Sequence, residues 1–143
     1  MCEGCIAGFW VWCVRSAVDF GLGTVLLIGG GGFVGSVLRV LISERVSGAC
    51  GTLVVNVVGS FFLGFFMYSL VYGDFFSRDM RFFVAIGFCG SFTTFSTFAL
   101  QSANLGFTGF FVNVLLNVFC CLLAVFAGRA LSILLLRRGA GWS

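Results

Sequence analysis

The chain has 143 residues, 60% of them hydrophobic and 9% charged, with a mean hydropathy of +1.16. Soluble domains carry about a quarter charged residues, so this is the composition of an integral membrane protein, and four spans with short loops account for the whole length. Eight arginines stand against five acids with no lysine or histidine; they cluster near span ends, where they orient the protein in the membrane more readily than they bind nucleic acid, and no room is left for a soluble catalytic or regulatory domain.

Residues 1–21 read as an interfacial segment. The apolar stretch from Gly4 to Val14 has 11 residues, too few to cross a bilayer, and the first charge is Glu3 where a signal peptide would open with a basic group. Trp10 and Trp12 suit the headgroup level. The seven cysteines are odd in number and at least three lie in apolar spans, where cysteine behaves as a small hydrophobe, so no disulfide framework is expected. Cys2 and Cys5 form a C-x-x-C pair, but no second pair and no histidine completes a four-ligand metal site.

The first span is expected over Leu22 to Ser43. Gly31 and Gly35, within a glycine-rich run, lie at the four-residue spacing that lets helix backbones approach; a phosphate loop would need a strand before and a lysine after. Arg39 lies about one turn inside the span's end, where it either snorkels to the interface or faces a wet vestibule and attracts anions. The second span, Thr52 to Tyr72, is uncharged and has one strongly polar residue, Asn56. Asn56, Ser60 and Gly64 share a helix face. An interhelical hydrogen bond and a ligand role are both open to Asn56.

From Phe82 to Gly128 there are 47 residues without Asp, Glu, Lys or Arg, enough for two crossings. The third span is expected from Arg81 to Asn104, interrupted around Gly90 to Thr94, where glycines and hydroxyl residues crowd together. An interrupted helix presents unpaired carbonyls from its first half and unpaired amides from its second, suited to a cation and an anion respectively. The fourth span, Thr108 to Leu131, sets Asn113, Asn117 and Cys121 on one face, as packing glue or as rungs of a polar track. No acid lies within any span, so a proton-coupled pump has no candidate group. No nucleophile and base pair supports an enzyme. Passive conduction is what a polar path would serve here.

The glycine-rich first span ending in Arg39, the string Gly51-Thr52-Leu53-Val54-Val55-Asn56-Val57-Val58-Gly59-Ser60 and the string Gly87-Phe88-Cys89-Gly90-Ser91-Phe92-Thr93-Thr94-Phe95-Ser96-Thr97-Phe98 together resemble the Fluc fluoride channel family, also called CrcB. The resemblance covers about Leu22 to Leu135. It implies an all-α integral membrane protein with four transmembrane helices per subunit, the third broken at the bilayer centre, assembled as an antiparallel dual-topology dimer. Residues 22–136 would form the channel and 137–143 a short tail. It further implies two fluoride pores and a central structural sodium ion, in a multi-pass protein of the cell inner or plasma membrane that lets fluoride leave passively. Phe95 and Phe98 would be the pore phenylalanines, whose positive ring edges can face an anion. Asn56, Ser96, Thr97 and Asn117 would contribute to the fluoride path, Arg39 to the vestibule, and the backbone carbonyls of Gly90 and Thr93 to the sodium site.

Three features depart from that family's pattern. Asn117 and Cys121 stand where it commonly offers a tyrosine and a serine. Gln101 stands where a glutamate is usual. Six arginines fall on the side of the termini and second loop against two on the other, a bias that would fix the termini in the cytoplasm. A dual-topology homodimer wants little bias, so either the family's packing overrides it or the subunit pairs with an oppositely oriented homologue. The rival class is a membrane structural or assembly protein whose glycines and amides only pack helices.

Overall fold

The computed structural model describes residues 21–72 and 77–139, and all regular structure among them is helical. The interfacial segment with Trp10 and Trp12 and the Cys2–Cys5 pair lie outside these residues. Helix α1 spans Leu22–Arg45 and α2 spans Ala49–Tyr72. A short α3, Arg78–Met80, leads into a π-helical stretch, π1, Arg81–Cys89, and then α4, Gly90–Phe92. Helix α5 is Phe95–Asn104 and α6 is Phe107–Gly139. Four stretches are long and apolar enough to cross a bilayer: Leu22–Arg45, Ala49–Ser69, Arg81–Asn104 and Phe107–Leu136.

The bundle is built from two close helix pairs. Glycines line the first, where α1 meets π1 and α4: a Cβ built on Gly31 would run into the Phe83 carbonyl, one on Gly35 would lie 2.5 Å from the Phe88 oxygen, and one on Gly87 would lie 2.5 Å from the Ile28 oxygen. In the second pair, α2 and α6 exchange glycines. Gly64 meets the Val125 carbonyl, and Gly128 meets that of Phe61. With lipid as apolar as leucine, such backbone contact replaces hydrophobic burial as the packing force. Accordingly the buried apolar core is small, consisting of Val55, Phe82, Ala85, Cys89, Phe92 and Ala124, while many large apolar side chains of α1 and α6 face outward.

Helix boundaries differ from the sequence expectation most at the start of α2 and the end of α6. Helix α2 starts at Ala49, three residues before Thr52, because Gly48 turns the chain at φ +74° and its carbonyl already accepts from the Gly51 amide at 3.1 Å. Helix α6 runs past Leu131 to Gly139, and its Arg129 is accommodated over the Tyr68 ring, 5.4 Å from the centroid. The π-helical stretch has no counterpart in the sequence reading. Of its buried residues, Phe82, Ala85 and Cys89 are spaced i, i+3 and i+7 along one face, and Gly87 lies off that stripe, where it meets the Ile28 carbonyl of α1.

Candidate functional site

The site is organised around two residues that leave the helix. After Phe92, Thr93 (φ −74°, ψ 157°) and Thr94 (φ −145°, ψ 118°) are extended, and the helix begins again at Phe95. Gly90 itself stays helical and is exposed. The Thr93 amide and hydroxyl both bond back to the Cys89 carbonyl, at 3.1 and 3.0 Å, which closes the first half. In a continuous helix the Thr94 amide would donate to the Gly90 carbonyl. Here it donates to Asn56 Oδ1 at 2.8 Å, and Asn56 Nδ2 donates back to the Thr94 carbonyl at 3.2 Å. The Asn56 side chain thus imitates a peptide group and satisfies both backbone atoms of Thr94.

Thr94 also caps the new helix. Its Oγ1 accepts from the Thr97 amide at 3.3 Å and donates to Thr97 Oγ1 at 3.1 Å, with Ser96 Oγ 3.4 Å away. Asn56 reaches this place because Gly59, one turn later on α2, lets the helix close on Thr93 Cγ2 and on Phe92. Phe95 is 79% exposed, Phe98 is half-buried, and their rings lie 5.7 Å apart at 55°. These rings stand at the amide end of α5, where the helix dipole is positive.

Behind them runs a buried polar layer. Asn56 Nδ2 donates to Asn117 Oδ1 at 3.4 Å, Asn117 Nδ2 to Asn113 Oδ1 at 3.1 Å, Asn113 Nδ2 to Ser102 Oγ at 2.8 Å, and Ser102 Oγ to the Phe98 carbonyl at 2.8 Å. Beside it the Thr52 hydroxyl donates to Gln101 Oε1 at 2.7 Å. Of the residues singled out in the sequence, Asn56, Phe95, Ser96, Thr97, Phe98 and Asn117 are brought together, with Thr93 and Gly90 on the preceding turn. Arg39 continues the Gly31–Gly35 stripe of α1, half-buried, and no hydrogen bond joins it to this group among the described residues. Ser102 was overlooked in the sequence. A hydroxyl four residues after Phe98 in an apolar helix was the only local sign of it.

The model of a family described as "CrcB-like protein, Camphor Resistance (CrcB)" matches residues 26–129, a range that takes in every one of these residues. The chain belongs to the CrcB family. Among CrcB relatives, it is 50% identical over 106 residues to the "Fluoride-specific ion channel FluC 2" of Methanosarcina mazei, covering 74% of this chain and 84% of that protein. It is 47% identical over 106 residues to the protein of the same name from Methanosarcina acetivorans, at 74% and 84% coverage. It is 44% identical over 116 residues to the "Fluoride-specific ion channel FluC" of Methanococcus maripaludis, at 76% and 94% coverage. With four apolar stretches of spanning length, this CrcB chain is a multi-pass membrane protein.

Proposed function

We propose that the chain is a fluoride-selective channel, not an enzyme, and that it lets fluoride leave the cell passively down its gradient. The observation that carries this reading is the pair Phe95 and Phe98 at the amide end of α5, immediately after two extended residues, in a chain whose relatives carry the name of fluoride-specific channels. The amides of the first α5 turn have no acceptor within the helix, and the dipole and ring edges add positive potential without a mobile charge. Ser96 and Thr97 offer hydroxyls on the same turn, Asn56 and Asn117 lie beside the path, and Arg39 is assigned to its vestibule. A small, hard anion gains most from narrow donor geometry, which disfavours chloride.

In this reading the extended pair lies at the bilayer centre, and two subunits pair in antiparallel orientation in the inner or plasma membrane. The donor chemistry suits a sodium ion at their axis. Diversion of the Thr94 amide to Asn56 releases the Gly90 carbonyl from its helical partner, a Cβ at Gly90 would meet nothing within 4 Å, and the Thr97 amide, the helical partner of the Thr93 carbonyl, is turned to Thr94 Oγ1. Two such groups from each subunit make a four-oxygen cage, and the ion would supply the charge that compensates carbonyls otherwise costing several kcal/mol in hydrocarbon. A partner copy or an oppositely oriented homologue would serve equally. The test is fluoride efflux from liposomes carrying the purified protein, followed with a fluoride electrode. Release at a rate proportional to protein supports the channel; none, from correctly assembled protein, supports the packing-protein reading.

A further inference from the structure

The five side-chain bonds behind the phenylalanines share one direction. The sequence of donors runs from the Thr94 amide through Asn56, Asn117, Asn113 and Ser102, and ends on the Phe98 carbonyl. Its two ends lie at the cap and in the first turn of α5, while its middle is held by α2 and α6. Bonds aligned in this way polarise one another in a low-dielectric setting. Asn113, Asn117 and Ser102 are 8%, 4% and 2% exposed. The amide protons of Asn56 and Asn117 are already spoken for: Asn56 donates to the Thr94 carbonyl and to Asn117, and Asn117 to the carbonyl and side-chain oxygen of Asn113.

We propose that Asn56, Asn117, Asn113 and Ser102 form a one-way hydrogen-bond circuit that fixes the orientation of the Phe95–Phe98 turn, and that Asn113 and Ser102, buried behind it, act on the conducted ion through that turn. They are positioning residues. The proposal rests on the channel reading for its effect on flux, but the circuit has a signature of its own. Ser102 is the cleanest link to cut, because it is buried on the side of α5 that faces Asn113.

The experiment compares wild type, Ser102→Ala, Ser102→Thr, Asn113→Leu and the Ser102→Ala/Asn113→Leu double variant. Two readings are taken on each: fluoride efflux per folded channel in liposomes, and, in labelled protein in detergent, the Phe98 carbonyl-carbon shift together with exchange of the Thr94 amide. Loss of one buried hydrogen bond predicts about a five- to tenfold lower efflux for Ser102→Ala. With it the Phe98 carbonyl signal should move and the Thr94 amide should exchange faster. Ser102→Thr, which keeps the hydroxyl, should restore all three. The double variant should lose no more than the worse single one, since either cut opens the same circuit. An unmoved Phe98 carbonyl in both Ser102→Ala and Asn113→Leu overturns the proposal. So does wild-type efflux with shifted signals, or losses that multiply in the double variant, as they would if Asn113 met the ion separately. If wild-type liposomes release no fluoride, the channel reading fails, while the carbonyl and amide signals still decide whether the circuit exists.

Discussion

Replacing Gly128 by alanine tests whether backbone contact between α2 and α6 holds the site together. The added Cβ would meet the Phe61 carbonyl and come within 2.8 Å of the Phe65 nitrogen, where about 3.5 Å is comfortable, so α6 must retreat by at least about 0.7 Å. A gap of that size forfeits about a quarter to a half of each contact's attraction, and overpacking of this kind costs about 1–3 kcal/mol. Two hydrogen bonds cross the same interface, Asn56–Asn117 at 3.4 Å and the buried Ser69–Ser132 pair at 2.6 Å. At about 0.6 kcal/mol each within a membrane protein, their stretching brings the expected loss to about 2–4 kcal/mol. Unfolding in detergent, titrated with dodecyl sulfate and followed by far-ultraviolet circular dichroism, measures it. Gly29→Ala is the control, because a Cβ there meets nothing within 4 Å and should be neutral or stabilising by up to about 1 kcal/mol. A Gly128→Ala midpoint equal to that of wild type would refute the packing argument.

Phe95→Ile and Phe98→Ile keep bulk but remove the polarised ring edge, so each should lower fluoride efflux about tenfold while the protein still assembles; wild-type efflux in either removes the pore assignment. Under equal gradients chloride should be excluded, and comparable chloride and fluoride currents would contradict selection by donor geometry. Gln101→Leu strips the Thr52 hydroxyl of its acceptor in a buried setting and should destabilise by about 1–3 kcal/mol; an unchanged unfolding midpoint disproves that. Thr93→Val keeps the carbonyl and removes only the hydroxyl bonded to Cys89, so any stabilisation by sodium should survive it. Abolition of sodium-dependent stability in that variant would transfer the site to the side chain.

The four apolar stretches could be read from the sequence because their length and freedom from charge leave few alternatives. The ends could not, since they depend on partners far along the chain. The fourth span is expected to end at Leu131, yet the helix continues to Gly139 with Arg129 set over the Tyr68 ring. Gly90 looked like the weakest helix former of its string, yet it is helical and the extended residues are Thr93 and Thr94. What decides this is Asn56, 38 positions earlier, which draws off the Thr94 amide. Hydroxyl and amide residues at four-residue spacing marked the polar face of α6, but only the fold shows that Asn113 spends its donor on Ser102. Ser102 has no sequence signal that separates it from an ordinary helix hydroxyl bonded to its own backbone.

The π-helical stretch Arg81–Cys89 has an implication for length variation. A π turn closes its hydrogen-bonded ring over one more residue than an α turn, so this segment holds a residue in excess of what an α-helix of equal height would need. Deleting one residue there would allow relaxation to the commoner helix, with the axis intact and no span shortened enough to matter. Because the wider turn already absorbs that extra residue, everything downstream on the same rod would keep its facing, with Gly90 on the open side and Thr94 opposite Asn56. A single-codon deletion in this stretch is therefore expected to be better tolerated than one in α1, where losing a residue from a regular helix turns everything beyond it by about 100° and carries Gly31 and Gly35 off their contacts.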